Sequence, residues 1–169
     1  NNAATYASST ECGSDAWCGI GTWDVSRVSL FDSAFRPEGS SAHPRPSATL
    51  QANFQSFNED IGSWNVSSAL NLGSCFREAS QFNQDIDNWN VQSVTNFGLA
   101  FMQATAFNQP LGSWNVRLPP GLPASDKVAI SRMFYDAQAF NQNLASWDTQ
   151  DIDNFEFAFG EASSFNQDI

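Results

Sequence analysis

Several residue types are scarce in this sequence of 169 residues, and each scarcity argues against a class of protein. Seven lysines and arginines stand against 18 aspartates and glutamates, for a net charge of −11. Nucleic acids and anionic membrane surfaces bind through clustered lysine and arginine, so we expect neither as a partner. No stretch approaches the roughly 18 apolar residues that a membrane-spanning helix needs, so no membrane insertion is predicted.

Histidine is scarcer still, with His43 as the single copy. Nucleophilic catalysis needs a nucleophile, a base and an orienting group, and His43 lies in a proline-rich stretch. The acidic residues recur at repeat positions instead of converging on one site. We therefore expect a protein that is not an enzyme and that needs no cofactor.

Three cysteines are present, and two of them stand close together near the N-terminus. Cys12 and Cys18 lie in a polar, glycine-containing stretch, which favours a small disulfide loop in an oxidising compartment. A shared metal site is the alternative, but no further cysteine or histidine lies nearby. Cys75 takes the place of an alanine or methionine in the sibling repeats, and we expect it to be a small buried side chain.

Phenylalanine and tryptophan are abundant, with 15 and six copies, and they recur with a period of 25 residues. A Phe-Asn pair is followed seven residues later by tryptophan, and twelve residues after most tryptophans comes another phenylalanine. A fixed period of this kind indicates a repeat architecture. The pairs are Phe57-Asn58, Phe82-Asn83, Phe107-Asn108, Phe140-Asn141 and Phe165-Asn166, and the tryptophans are Trp23, Trp64, Trp89, Trp114 and Trp147.

Two proline-rich insertions interrupt the period, one near residues 37–52 and one at 117–124. Proline removes a backbone donor, so both insertions are expected to be surface loops. Residues 1–20 are interpreted as an N-terminal arm, and residues 21–169 as about five coils of a solenoid.

One unit is too short to bury its own apolar residues, so neighbouring units must supply the core. The helical spacing of Val94, Phe97, Ala100 and Phe101 indicates a short helical or 3₁₀ turn. The Trp-Asn-Val segment is better suited to a short strand. The sequence therefore predicts an α/β repeat solenoid in which each coil has a short strand and a short helical turn.

The recurring asparagines and tryptophans have structural and ligand-binding interpretations. The asparagine of each Phe-Asn corner is predicted to hydrogen-bond backbone groups of the turn and to stack on its copy in the next coil. The nearby acids Asp60, Asp85 and Asp168 are interrupted by Pro110 and Asn143, which argues against a ladder of calcium sites. The tryptophans are predicted to be core residues, and an exposed row that stacks on sugars is the alternative.

The segments 57–66 and 82–91, with the pattern F-N-[QE]-D-I-x-x-W-N-V, resemble the BspA-like leucine-rich-repeat surface-protein family. The resemblance spans about residues 23–169 apart from the two insertions. It implies a leucine-rich-repeat-like, non-enzymatic domain that is extracellular or on the cell surface and serves adhesion or surface display. It supplies no catalytic residues.

The two ends of the array match in phase, and the chain starts at Asn1 without methionine, as mature processed proteins do. Three interpretations are open: a fragment of a longer array, a head-to-tail polymer, or a monomeric module. The predicted head-to-tail interface comprises Gly21, Thr22, Trp23, Val25, Phe165, Asn166 and Ile169.

We therefore expect an extracellular structural protein, a surface or filament subunit that binds copies of itself. The alternative is an adhesion module that recognises a protein or glycan through the solenoid face or the insertions. Asn65-Val66-Ser67 is the one glycosylation sequon, so Asn65 is a candidate glycan acceptor. Asn65 also occupies the regular repeat position of Asn90 and Asn115.

Overall fold

The computed structural model describes residue 17 and residues 19–35, 48–123 and 125–169. Regular secondary structure is sparse in these residues. A 3₁₀ helix spans Ile20–Thr22 and an α-helix, α1, spans Ala48–Gln55. Helix α1 includes the last residues of the stretch near 37–52 that the sequence assigns to an insertion. Beyond the first turn of α1, Phe54 lies against the ring of Trp17, with centroids 5.5 Å apart.

Successive repeat units lie side by side in parallel register. Isolated parallel bridges join Leu30 to Asn71, Asn71 to Asn96, and Asn96 to Ala129, and a further bridge joins Val128 to Ile152. No longer strand forms among the described residues. The bridge positions Asn71 and Asn96 follow the tryptophans by seven residues, so the contact lies further along the unit than the Trp-Asn-Val segment predicted as a strand.

Each unit contains a run of overlapping turns that we call the turn segment, residues 71–79 and their equivalents 96–104, 129–137 and 154–162. Backbone N–H groups in this segment alternate between two kinds of acceptor. The Cys75 N–H donates within its own unit to Leu72 O at 3.1 Å, whereas the Phe76 N–H donates to Ala100 O of the next unit at 2.8 Å. Alternate N–H groups therefore join neighbouring units, as they do in a parallel sheet.

Left-handed backbone explains why the helical spacing in the sequence does not produce a helix here. Ser74 and Glu78 have φ values of 55° and 65°, and an α-helix requires an unbroken run of right-handed residues. A helix also directs every N–H along its own axis, which would leave none for the next unit. The same left-handed positions recur at Leu99, Gln103, Arg132, Asp136, Phe157 and Glu161.

Two ladders of phenylalanine rings form the core. Within a unit, Phe101 and Phe107 stack with centroids 4.2 Å apart, and both side chains are fully buried. Between units, Phe101 stacks on Phe76 at 5.4 Å and on Phe134 at 5.5 Å. The second ladder has a wider spacing, for example 5.8 Å between Phe82 and Phe107. Each ring of an inner unit therefore contacts rings of its own unit and of both neighbours.

Tryptophans form a third ladder, which lies against the phenylalanines of the turn segment, as Trp114 does against Phe97 at 5.7 Å. Trp89 stacks on Trp64 at 6.3 Å and on Trp114 at 6.4 Å, with ring planes nearly parallel. Its Nε1–H donates to Ile61 O of the preceding unit at 3.1 Å, which satisfies a buried polar group. The spacing between equivalent rings thus increases from the turn segment to the tryptophans, so the units lie closest at the turn segment.

Truncating a central ring tests this account of the core. We expect Phe101→Ala to lower the free energy of unfolding by about 3–5 kcal/mol, because the cavity would remove stacking with two units at once. Urea unfolding followed by circular dichroism measures the change. Leu122→Ala is the control, because Leu122 is 43% exposed and its loss should change stability by no more than about 0.5 kcal/mol. Equal effects of the two substitutions would contradict the ladder as the main source of stability.

Candidate interaction surfaces

The asparagine at each Phe-Asn corner joins its unit to the next one. Asn108 Oδ1 accepts the backbone N–H of Asn141 at 2.9 Å and also the Nε2–H of Gln142 at 2.9 Å. The same side-chain-to-backbone bond recurs at every described corner, at 2.8–2.9 Å, from Asn83 to Asn58, Asn108 to Asn83 and Asn166 to Asn141. These amide oxygens are therefore engaged in the array and are not arranged around a ligand.

Most other recurring asparagines and aspartates cap local turns. Asp60 Oδ1 accepts the N–H of Gly62, and Asp85 Oδ1 accepts the N–H of Asp87, each at 3.0 Å. Asn65 Oδ1 does the same for the N–H of Ser67 at 3.1 Å, and Asn65 is exposed. Such side-chain-to-backbone bonds two residues apart are a common role of these residues. In the described part of the chain, no group of three or more histidine, cysteine, aspartate or glutamate side chains lies close enough to hold a metal ion.

Among the residues that the structure describes, the pKa values of two side chains are perturbed, and both shifts have local causes. The side-chain and backbone hydrogen bonds of Ser26 lower the pKa of the exposed Asp24 carboxyl. Burial raises the pKa of the Cys75 thiol well above its usual range, and the charge of Asp32 adds to this effect. Cys75 is fully buried and therefore has little thiolate character. Cys12, Cys18, Arg36, His43 and Arg45 lie outside the described residues.

The tryptophans differ between the first unit and the later ones. Trp64, Trp89, Trp114 and Trp147 are each at most 6% exposed, and each Nε1–H donates to a carbonyl of the preceding unit. Trp23 is half-buried and packs at the edge of the core. None of the four buried rings presents a face to solvent for a sugar.

The first residues of the insertion at 117–124 are bonded to acidic side chains of the next unit. The Arg117 guanidinium lies 3.3 Å from Asp148 Oδ2 and 3.4 Å from Asp151 Oδ2. The Leu118 N–H donates to the same Asp151 carboxylate at 3.1 Å. Arg117 is thus held in place by two acids, although its side chain remains about half exposed.

The residues predicted for the head of the array lie in different environments. Gly21 faces the second unit so closely that a Cβ there would lie 2.5 Å from Asp60 O. Val25 is 4% exposed, whereas Thr22 is exposed and Trp23 half-buried. Beside them lies an apolar cleft of about 350 Å³, which we call the head cleft. Its lining includes Trp17, Trp23, Val28, Leu30 and Phe54. The cleft contains Trp23 and Val25 but neither Gly21 nor Thr22.

In the last unit, side chains at core positions are more exposed than their equivalents in the preceding unit. Phe155 is 42% and Ile169 47% exposed, although their equivalents Ile130 and Leu144 in the preceding unit are 1% or less exposed. Phe165 is half-buried and stacks on Phe140 at 5.9 Å. Asn166 is exposed, and its N–H is bonded to Asn141. We call the exposed surface of Phe155, Phe165 and Ile169 the tail face.

A groove that the sequence analysis did not single out crosses the turn segments. It is lined by Arg77, Leu99, Met102, Arg132, Tyr135 and Phe157, and its volume is about 390 Å³. These residues differ from unit to unit, so a search for identical residues passes over them. Comparison of equivalent positions would have found the signal: Ser74, Leu99, Arg132 and Phe157 occupy one position, and Arg77, Met102, Tyr135 and Gly160 another.

Substitution of a corner asparagine tests its role in joining the units. We expect Asn108→Ala to lower the free energy of unfolding by about 1 kcal/mol, because two donors of the next unit lose their acceptor but remain close to water. Asn108→Asp keeps an acceptor oxygen at the same place and should lose clearly less at pH 7. Thermal and urea unfolding of the two variants measures the difference. An aspartate variant as unstable as the alanine variant would contradict the assigned hydrogen bonds.

Comparisons with known proteins complete this description. Among the described residues, no helix is long and apolar enough to cross a membrane. No curated protein and no solved structure matches the chain. A sequence family does match, at residues 48–119 and 124–169, and the gap falls within the second proline-rich insertion. Because the match covers well over half of the 169 residues, the chain belongs to the family described as Mycoplasma protein of unknown function, DUF285.

Proposed function

We propose that this protein is a non-enzymatic, extracellular structural protein, a surface or filament subunit that assembles head to tail with copies of itself. In this proposal the stacked units form an α/β repeat solenoid of the leucine-rich-repeat kind, and the chain is a relative of the BspA-like surface proteins. The observation that carries the proposal is the distribution of exposed apolar side chains. Six large ones are exposed in the described residues, and four belong to the first or last unit: Leu30, Phe155, Phe157 and Ile169.

The backbone of the last unit supports the same arrangement. In the third unit the N–H groups of Leu99, Phe101 and Gln103 donate to carbonyls of the fourth unit at 2.8–3.0 Å. The equivalent N–H groups of Phe157, Phe159 and Glu161 have no acceptor among the described residues. A further unit placed on the tail face would receive these bonds in the register already repeated along the array. The first unit of a second copy is the occupant we propose.

The head cleft supplies a complementary apolar surface. Leu30 is 66% exposed and borders the cleft together with Trp23 and Val28. Burying the side chains of both faces would remove apolar area from water, which favours association at about 25 cal/mol per Å² before the costs of ordering are subtracted. Such a contact joins unlike surfaces and does not close on itself, so it produces a fibre.

The net charge sets the conditions for assembly. Subunits that each carry a charge of −11 repel one another at low ionic strength, and salt screens this repulsion beyond about 10 Å at 0.1 M. The tail-face residues are apolar and their attraction is not screened. Assembly should therefore strengthen as salt is raised, unlike an association driven by opposite charges.

A mixing experiment with two blocked variants tests the proposal. Ile169→Asp blocks the tail face and Leu30→Asp blocks the head cleft, and both changed side chains are exposed, so neither should unfold the chain. We expect the unaltered protein to form fibres in the electron microscope, with an axial repeat that includes about five units of roughly 4.8 Å. Each variant alone should sediment as a monomer, and an equal mixture should form one-to-one dimers, because one free head remains for one free tail.

The controls separate this contact from nonspecific aggregation. Leu122→Ser removes an exposed apolar side chain from the insertion and should leave fibre formation unchanged. Monomers at every protein concentration and salt concentration would overturn the proposal. Fibres that persist in either aspartate variant would also overturn it.

A binding module for a protein or glycan is the second candidate function. The groove across the turn segments favours it, because it combines aromatic, aliphatic and charged side chains on the side where the units lie closest. Proteins display such concave, mostly apolar surfaces with a few polar groups where they bind ligands. The two functions are compatible, since the groove is distinct from the head cleft.

A further inference from the structure

The groove is built by two positions of the repeat that vary in four successive units. One position, occupied by Leu99, Arg132 and Phe157, has φ values of 61°, 55° and 52°. Left-handed backbone is unfavourable for bulky side chains, by about 1–2 kcal/mol per residue. Three consecutive bulky residues at a position suited to glycine or asparagine indicate that their side chains serve a purpose other than stability.

The aromatic part of the groove is held in place by a glycine. Tyr135 lies over Gly160, where an added Cβ would approach the Tyr135 Cδ2 to 2.9 Å. The Tyr135 ring meets the Phe157 ring edge-on, with centroids 6.4 Å apart. The Arg132 guanidinium lies over the Phe157 ring, 5.5 Å from its centroid. These contacts fix two aromatic rings and a planar guanidinium beside one another before any ligand arrives.

The charges that border the groove are paired. Arg77 Nε lies 3.2 Å from Glu78 Oε1, and Arg132 Nη2 lies 3.0 Å from Glu156 Oε1. The Arg132 guanidinium keeps further N–H donors, and the Glu156 carboxylate keeps further acceptor capacity. A strongly anionic ligand would meet the two glutamates and the overall charge of −11. A strongly cationic ligand would meet the two arginines inside the groove. The border therefore suits a neutral ligand that both donates and accepts hydrogen bonds.

In the inner units, the backbone of the turn segments has no free edge to offer. The Leu99 N–H donates to Ser131 O at 3.0 Å, and the Arg132 N–H donates to Glu156 O at 2.9 Å. The Gln103 N–H donates to Tyr135 O at 2.8 Å. Recognition of an extended peptide by strand addition needs unpaired backbone groups, so it is disfavoured here. A ligand that lies along the inner units must therefore be recognised by side chains.

We infer that the groove binds a neutral saccharide chain. A sugar ring has an apolar C–H face, which matches the Tyr135 and Phe157 rings and the Leu99 and Met102 side chains. Its hydroxyls are both donors and acceptors, which matches paired arginine and glutamate at the border. Because each unit adds its own side chains along the groove, successive sugar rings would meet successive units. The groove shares Phe157 with the surface proposed for end-to-end assembly, but its other lining residues lie within inner units.

Methionine provides a direct measurement, because the chain has only Met102 and Met133. Met102 lines the groove and is half-buried, whereas Met133 is 0% exposed in the core. Protein carrying ¹³C-methyl methionine would be titrated with four neutral trisaccharides: maltotriose, cellotriose, mannotriose and chitotriose. We expect at least one of them to shift the Met102 methyl signal saturably, and the Met133 signal to stay unchanged.

Two variants assign the response to the groove. Tyr135→Ala removes a stacking ring, and Gly160→Ala keeps every lining side chain but displaces that ring, so each should weaken binding by at least about tenfold. An unshifted Met133 signal shows that a variant keeps its fold, and Leu122→Ser should bind as the unaltered protein does. The inference is overturned if no neutral trisaccharide gives a saturable Met102 shift. It is overturned equally if only trigalacturonate or trilysine does so, or if both variants bind unchanged.

Discussion

The sharing of backbone hydrogen bonds between units is the constraint on which the rest of this structure depends. In the turn segment, one N–H closes a turn of its own unit and the next donates to the neighbouring unit, as Cys75 and Phe76 do. A unit removed from the array would therefore lose about half of the backbone partners of this segment. Neighbouring units must be present together, so the stability of the array depends on the contacts between adjacent units.

The aromatic composition follows from this constraint. Units held in register place equivalent side chains above one another, and flat rings fill such a stack with few voids. Phe101 has rings above, below and beside it at 4.2–5.5 Å, so the spacing of the backbone and the spacing of the rings support each other. The corner asparagines, which follow the turn segment in the chain, contribute the same register, because Asn108 Oδ1 accepts the N–H of Asn141. The backbone hydrogen bonds between units, the stacked rings and the corner asparagines thus specify one alignment of the units.

The repeat period, the insertion at 117–124 and the identity of the inward-facing ladders could be read from the sequence, because each appears as a residue type at a fixed spacing. Phe82, Trp89 and Ala104 recur with their neighbours and are buried. The conformation of the turn segment could not be read in this way. Apolar residues three and four apart fit a helix and also a chain of overlapping turns. Only the acceptor of each backbone N–H distinguishes these two structures.

The surfaces were harder to foresee than the core, for two different reasons. Gly21 and Val25 match the phase of the last unit, yet Gly21 packs against Asp60 and Val25 is buried, so phase alone does not tell which residues of a unit are accessible. The groove has no periodic signal in the sequence, because its residues do not repeat. A period identifies the positions that must stay the same for the units to stack, but it gives no information about the remaining positions.

Those remaining positions are where a repeat array acquires individual function. The core ladders tolerate little change, since each side chain contacts copies of itself on both sides. The left-handed position imposes no such demand, and it holds Ser74, Leu99, Arg132 and Phe157 in successive units. Because only the core positions must match between units, the residues that line a groove can differ from one unit to the next. Such an array can keep the positions that stack its units alike and vary the positions that line a groove.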